Sequence, residues 1–280
     1  MMKLASVVVW YNPTEDDKKN IDSYLEDLDI LYIMDNSEKK TSIEKNKKIK
    51  YVFNNENQGI SKPLNEAAKM ALKEGYCWLL TMDQDSKMNK DIFNEFANVL
   101  KATDTTNVGI ISPWHDTKIK EEKPVGRYTN PLEVMTSGNF VNLNILNKLG
   151  YFDEKLFIDG VDIEYGLRLN KNGYKIVQMN NVSMKHNLGN IEYHKFLGKE
   201  FMCTNHNYLR QYYMARNYRY IRDKYIGMYP EYCKKLVKIK GLLFKIFMYE
   251  NDKCRKYKYI FKGIKDYKKN IYGKLEEVKI

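Results

Sequence analysis

Cysteine is scarce in this chain and shows no pattern. Cys77, Cys203, Cys233 and Cys254 form no Cys-x-x-Cys pair and no zinc-site spacing. Neither a disulfide framework nor a structural zinc is indicated, and thiols in a reducing, cytoplasmic compartment are expected. No apolar run approaches the ~20 residues that cross a bilayer, and Met1-Met2-Lys3-Leu4 leads into a strand pattern rather than a signal peptide. Gly-x-Gly-x-x-Gly and a Gly-Lys-Ser/Thr phosphate loop are also missing, which disfavours dinucleotide and P-loop chemistry. What is present is a 280-residue chain with 43% hydrophobic and 30% charged residues. Such a composition folds, and the length suits one large α/β domain with an appendage or two small domains.

The net charge of +11 is unevenly spread. Residues 1–190 carry 25 Lys/Arg and 27 Asp/Glu, whereas residues 191–280 carry 22 and 9. The basic third is also aromatic, as in Tyr212-Tyr213-Met214-Ala215-Arg216-Asn217-Tyr218-Arg219-Tyr220. Basic and aromatic residues together suit nucleic acid or an anionic membrane surface. In Tyr232–Tyr249, Leu236, Ile239, Leu243, Ile246 and Phe247 form one helical stripe with Lys234, Lys238 and Lys245 largely opposite. That stripe either packs on the catalytic domain or lies on a membrane.

From residue 1 to about 110, strand and helix signals alternate. Strands are expected at Ser6–Trp10, Leu31–Met34, Tyr51–Phe53, Trp78–Met82 and Val108–Ser112, with a polar helix over Thr14–Leu28 and an amphipathic one over Pro63–Glu74. This alternation predicts a parallel sheet covered by helices, whose ligands bind beyond the carboxyl ends of the strands. Those ends are polar: Tyr11-Asn12-Pro13, Asp35-Asn36, Asn54-Asn55 and Asp83-Gln84-Asp85. Turn chemistry alone would favour such residues, but their recurrence at four successive strand ends points to a nucleotide. Asp83 and Asp85 at the end of a buried strand repel each other and need positive compensation. A divalent cation carrying a phosphorylated ligand supplies it. The same acidic ends would repel a nucleic acid, so none is expected as a partner.

The second half holds Thr136-Ser137-Gly138-Asn139-Phe140, a small-residue turn that lets a ligand approach the backbone. Residues 162–169 read as the start of a helix, capped by Asp159 or Gly160. Glu164 and Arg168 can pair at i,i+4, while Asp162 in the first turn is either a dipole partner or a group for chemistry. His186 follows the strand-like Lys175–Met179, and a lone His there is more often structural than ligating.

The ordered series Val8-Val9-Trp10-Tyr11-Asn12-Pro13, Asp35-Asn36-Ser37, Asn57-Gln58-Gly59-Ile60, Asn65, Asp83-Gln84-Asp85-Ser86, Ser137-Gly138, Phe152-Asp153-Glu154, Phe157-Ile158-Asp159, Asp162-Ile163-Glu164, Arg168, His186-Asn187-Leu188-Gly189 and Tyr212-Tyr213 with Arg216-Asn217 resembles glycosyltransferase family 2. These are the inverting enzymes of the GT-A fold, and the likeness, over roughly residues 4–220, is strongest to the bacterial rhamnosyltransferase branch. The resemblance implies an α/β GT-A fold, with a Rossmann-like nucleotide-binding half, a mixed central sheet and a C-terminal helical extension. Residues 1–205 would be the catalytic domain, with 1–110 as the nucleotide-binding half and 111–205 as the acceptor half. Residues 206–280 would be a basic, aromatic-rich helical region.

It also implies roles. Tyr11, Asn12, Asp35, Asn57, Gly59, Asp83 and Gln84 would bind the nucleotide. Asp83 and Asp85, with His186, would hold Mg²⁺ or Mn²⁺, and Asp162 would be the general base. Ser137, Gly138, Asp159 and Arg168 would line the acceptor or donor sugar. The pair Val161-Asp162 departs from the family's commoner Glu-Asp, so the base rests on Asp162 alone, with Asp159 as the fallback. The implied donor is dTDP-L-rhamnose, with UDP-hexose or UDP-galactofuranose as alternatives. The implied acceptor is a saccharide or lipid-linked glycan, at the inner face of the cell membrane. A nucleotidyltransferase and a silent sugar-nucleotide binder are the other readings.

Overall fold

The computed structural model describes residues 3–117, 119, 122–186 and 189–276. Met1, Met2, Asn187 and Leu188, parts of segments singled out above, lie outside the described residues. The chain divides into two compact units. The first comprises Met1–Asp116, Glu121–Glu154 and Val161–His186, and the second Thr117–Lys120, Lys155–Gly160 and Asn187–Ile280.

The first unit contains β1 (Leu4–Trp10), α1 (Glu15–Asn20), β2 (Ile30–Asp35), β3 (Ile49–Phe53), α2 (Ser61–Lys73), β4 (Trp78–Asp83), α3 (Lys90–Ala102), β5 (Val108–Asp116), β6 (Tyr128–Thr129), β7 (Asn139–Asn142), α4 (Leu143–Leu149), α5 (Val161–Lys171) and β8 (Lys175–Lys185). The strands form one sheet in the order β3-β2-β1-β4-β7-β5-β8-β6. β1 to β4 pair in parallel, and β5 pairs in parallel with β8. β7 runs antiparallel between β4 and β5, and β6 runs antiparallel on the edge beside β8. The parallel run β1 to β4 is what the alternating pattern predicts, since strands joined by helical crossovers run parallel, and the antiparallel β7 and β6 make the sheet the mixed one that the resemblance implies.

One face is a continuous core. Val8, Trp10, Ile33, Leu80, Met82, Ile111 and Phe140 from the strands meet Ile92, Phe96 and Val99 of α3. Phe96 stacks on Phe140 at 3.8 Å and takes Trp78 edge-on at 5.6 Å. On the opposite face α2 packs on β1, β2 and β4, with Leu64, Ala67, Ala68 and Ala71 buried. Each buried aliphatic or aromatic side chain contributes about 1.5–3 kcal/mol.

The polar helix expected over Thr14–Leu28 is shorter in the structure. α1 ends at Asn20, and the chain continues as two 3-10 turns, Ile21–Ser23 and Leu25–Asp27. Tyr24 between them, with φ −140° and ψ −8°, joins Ile21 and Leu28 in the core. Tighter winding lets side chains three apart face the same way.

The second unit holds β9 (Glu192–Phe196), β10 (Lys199–Cys203), α6 (Tyr208–Tyr225), α7 (Pro230–Leu236), α8 (Ile239–Tyr249) and α9 (Lys253–Lys268). Asn207 caps α6 by accepting from the Arg210 amide at 2.9 Å. α9 lies against α6 at Gly263, where an added Cβ would collide with the Tyr212 carbonyl. The helix expected over Tyr232–Tyr249 is divided at Val237-Lys238, where Lys238 has ψ 71°. The break turns Ile246 onto Ala215 and Ile260, with Ile239, Leu242 and Leu243 partly buried beside them, and leaves Phe247 62% exposed. Among the described residues no helix is long and apolar enough to cross a membrane.

Candidate active site

In the first unit, β1, β2, β3, β4, β5 and β8 run the same way, so their carboxyl ends share one sheet edge. β7 runs the other way, which brings the turn before it to that edge as well. The Gly138 amide donates to the Thr81 carbonyl at 2.7 Å, and the Asp83 amide donates to Ser137 Oγ at 3.0 Å. Gly138 has φ 82°, and a Cβ there would press on Met184 Sδ at 2.8 Å, so this turn needs glycine. Ser137 and Gly138 thus adjoin the acidic turn.

Hydrogen bonds tie the other strand ends into the same edge. The Tyr11 amide donates to Gln84 Oε1 at 2.8 Å, and the Asn12 amide to Ser37 Oγ at 2.7 Å. Asn36 Nδ2 donates to the Gly59 carbonyl at 2.7 Å, and the Gly59 amide to Asn57 Oδ1 at 3.0 Å. Asp35 is fully buried. It accepts from the Ser37 amide at 2.9 Å, from the Thr41 amide at 3.2 Å and from the Tyr51 hydroxyl at 2.5 Å. Burial works to raise its pKa, but the side chains of Ser37, Thr41 and Tyr51, with the Ser37 amide, outweigh burial and hold the carboxyl below its ordinary value. Burial and the Asp35 bond push the Tyr51 hydroxyl up to about 12. Asp35 is therefore a fixed anion beside Tyr11 and Asn12.

Asp83 is half-buried and Asp85 exposed on the turn after β4, which the Ser86 amide closes onto the Asp83 carbonyl at 3.1 Å. Among the described residues no three His, Cys, Asp or Glu side chains gather as a metal cage. Two carboxylates are nonetheless the donor set of a Mg²⁺ or Mn²⁺ whose other ligands are substrate phosphates and water, so the residues fit such an ion.

His115, absent from the expected site, belongs to it. Its Nε2 donates to the Ser137 carbonyl at 2.7 Å, and its ring meets that of His186 edge-on at 5.8 Å. Burial lowers the His115 pKa to about 4, with the charge of His186 adding to the effect and the Ser137 bond opposing it. The ring is neutral at physiological pH and carries its proton on Nε2. β5 was expected to end at Ser112. Instead it passes Pro113 through a register shift and ends at Asp116, which makes His115 and Asp116 the true strand end. A register irregularity is where a proline can sit within a sheet.

Asp162 lies in the first turn of α5, half-exposed, with Oδ1 accepting from the Ile163 amide at 2.9 Å. α5 packs on β8 and reaches the start of that strand through the turn at Asn172 and Gly173. Its first turn therefore points to the carboxyl edge of the sheet. The expected pair of Glu164 and Arg168 is present at 3.0 Å. Arg168 also donates to the carbonyls of Leu149 at 2.6 Å and Tyr151 at 2.5 Å, so most of its hydrogen bonding goes into the fold rather than outward to a sugar. In the second unit, Asp159 is held by Arg210 at 2.6 Å. Burial outweighs that attraction and raises its carboxyl pKa.

A sheet of this order, with an acidic Asp-x-Asp turn at its carboxyl edge, is the α/β architecture of GT-A glycosyltransferases. The sequence profile of Glycosyl transferase family 2 matches residues 14–163, more than half of the chain, and the chain belongs to that family. A dTDP-rhamnosyl transferase, RfbF of Shigella flexneri, is 26% identical over 215 residues, covering 66% of this chain and 69% of its own. Among solved structures, residues 1–349 of S. aureus TarS in complex with UDP-GlcNAc superpose with a TM-score of 0.57 at 12% identity, covering 99% of this chain and 95% of that one. GalNAc-T7 with UDP, GalNAc and Mn²⁺ gives 0.51 at 12% identity over 71% of this chain, which spans only 44% of the GalNAc-T7 chain. At these identities the structures establish the shared fold.

Proposed function

We propose that the protein is an inverting glycosyltransferase that moves a sugar from a nucleoside diphosphate donor to a hydroxyl of a saccharide or lipid-linked glycan. The observation that carries this reading is the Asp83-Gln84-Asp85 turn at the sheet edge of a family 2 chain, set beside the buried Asp35 anion. Asp35, with Tyr11 and Asn12, holds the base and ribose, and Asn57, Gly59 and Gln84 shape the same edge. Asp83 and Asp85, with His186 as a further donor, would hold Mg²⁺ or Mn²⁺, which would supply Lewis-acid neutralisation of a diphosphate's charge.

Asp162 accepts the acceptor's hydroxyl proton as that oxygen bonds to the anomeric carbon and the bond from that carbon to the diphosphate breaks on the opposite face. The name of the Shigella relative supports dTDP-L-rhamnose as donor. Work on surface glycans would place the protein at the inner face of a membrane.

Asp162→Asn tests the base. The expected result is a loss of turnover of roughly 100- to 10,000-fold with donor affinity by calorimetry nearly unchanged. An equal loss of donor affinity would refute the assignment. Thermal-shift measurements with dTDP-, UDP- and GDP-sugars, with and without Mn²⁺, identify the donor. Stabilisation by UDP-sugars alone would exclude rhamnose from dTDP.

A further inference from the structure

In the second unit, β9 and β10 are joined by a turn whose side chain suits neither its backbone nor its surroundings. Leu197 and Gly198 have φ 47° and 75°, the two left-handed positions of a hairpin turn that Asn-Gly or Asp-Gly fills without strain. A leucine is disfavoured in that region, and Leu197 is 88% exposed, so neither turn geometry nor core packing accounts for it. Exposed Lys195 and Lys199 flank the tip, with Glu200 and Glu192 exposed further from it on the same two strands. Behind it, Phe196 meets Phe244 of α8 edge-on at 5.4 Å. One turn further along α8, Phe247 is exposed, with the Lys253 ammonium 5.6 Å above its ring. α8 contains no acidic residue. Leu197, Phe196, Phe244 and Phe247 thus make an apolar ridge with Lys195, Lys199 and Lys253 nearest it; Glu192 and Glu200 offset the two hairpin lysines, so the basic excess is that of the surrounding third of the chain, 22 Lys/Arg against 9 Asp/Glu.

We propose that this ridge is the edge by which the protein enters the surface of an anionic lipid bilayer. The apolar tip enters the boundary of the acyl chains while the flanking ammonium groups stay among anionic headgroups. A nucleic acid would satisfy the lysines but offers no apolar phase to Leu197. A symmetric second copy would set the same lysines against each other. The surface is independent of the sugar-transfer reading, and its test involves no donor.

Co-sedimentation of the full chain with vesicles of phosphatidylcholine, alone or mixed with phosphatidylglycerol, is the test. Binding to the mixed vesicles only, weakened by salt, is expected. Leu197→Asn suits the turn and should leave the melting temperature unchanged or raised while weakening partition about tenfold. Phe247→Gln, on a different element, should weaken it similarly. The proposal is overturned by absent binding, by equal binding to both vesicle types, or by undiminished binding of both variants. A dimer that light scattering detects and Leu197→Asn dissolves would also overturn it, in favour of a second copy.

Discussion

Tyr51 shows how one hydroxyl can set the charge of the proposed binding edge. Without donors, a carboxylate buried as deeply as Asp35 would be driven towards its neutral form; the Ser37, Thr41 and Tyr51 side chains and the Ser37 amide reverse that tendency. Tyr51→Phe removes one of these donors and should cost about 1 kcal/mol at neutral pH, read by chemical denaturation. Asp35 titrates lower in the folded protein than its ordinary 3.8. The stability it contributes is therefore complete above that value and is lost as pH falls through its folded pKa. The gap between wild type and Tyr51→Phe should close in acid; a gap that stays constant would refute the account. Asp35 itself was legible in the sequence, because a strand ended on it. Its partners Thr41 and Tyr51 were not, since a loop residue and an adjacent strand meet it only through tertiary folding. His115 was missed for a different physical reason. Pro113 reads as a strand stop because it lacks a backbone N–H, and only the register shift beside it lets β5 continue.

At the level of elements, long apolar strands could be read directly and short or interrupted ones could not. β1, β2 and β4 carry buried runs bounded by turn residues, β3 a partly buried one, and all four lie within two residues of their expected bounds. β7 has four residues and β6 two, too short for any periodicity to register, yet β7 is what delivers Ser137 and Gly138 to the acidic turn.

The edge strand β6 depends on one side chain of α3. Glu95 accepts from Arg127 Nε and Nη2, each at 2.8 Å, and from the Tyr128 hydroxyl at 2.6 Å. The Arg127 bonds, against the opposing effect of burial, bring its pKa down from 4.5 to about 2. Arg127 is itself 57% exposed, so solvent screening trims the ion pair. Glu95→Gln should cost about 1–2 kcal/mol and speed amide exchange at Tyr128 and Thr129. The wild-type contribution is present above pH 4.5 and is lost as pH falls towards 2, so the mutational cost should shrink over that window. Unchanged exchange at β6 would show that the strand is held by its ladder to β8 instead.

For the molecule as a whole, the division of charge matches a division of tasks. The first unit presents acidic and amide groups at one sheet edge, whereas the second is organised around a buried cation. Arg216 is wholly buried and among the described residues has no carboxylate hydrogen-bond partner; Nη1 donates to the Gly273 carbonyl at 2.8 Å and Nη2 to the Lys155 carbonyl at 3.2 Å. The rings of Tyr212, Tyr213 and Tyr272 lie 5.1–5.8 Å from its guanidinium carbon, so π faces stabilise the charge that burial removes from water. The Gly273 amide donates back to the Lys155 carbonyl at 2.9 Å, and Asn217 Nδ2 donates to the carbonyls of Leu156, Ile158 and Asp159.

One arginine and its neighbouring asparagine thereby fasten the segment near residue 273 and the loop 155–160 to α6. That loop needs fastening, because Phe157 and Asp159 both sit at positive φ, 59° and 63°, conformations that persist only when their surroundings impose them. The loop leads directly along the chain into Asp162, so its order bears on the proposed base. Arg216→Met would strand buried carbonyls of Lys155 and Gly273 at about 1–3 kcal/mol each. Hydrogen exchange should then accelerate at Ile158 and Gly273, whose amides are bonded in this segment, and leave β1, β2 and β4 at wild-type rates. Acceleration spread evenly over the central strands would mean that Arg216 supports global stability rather than this loop. With the loop alone loosened, turnover should fall while affinity for a donor at the proposed binding edge is kept, because the proposed donor residues Asp35, Asp83 and Asp85 all belong to segments that Arg216 does not touch.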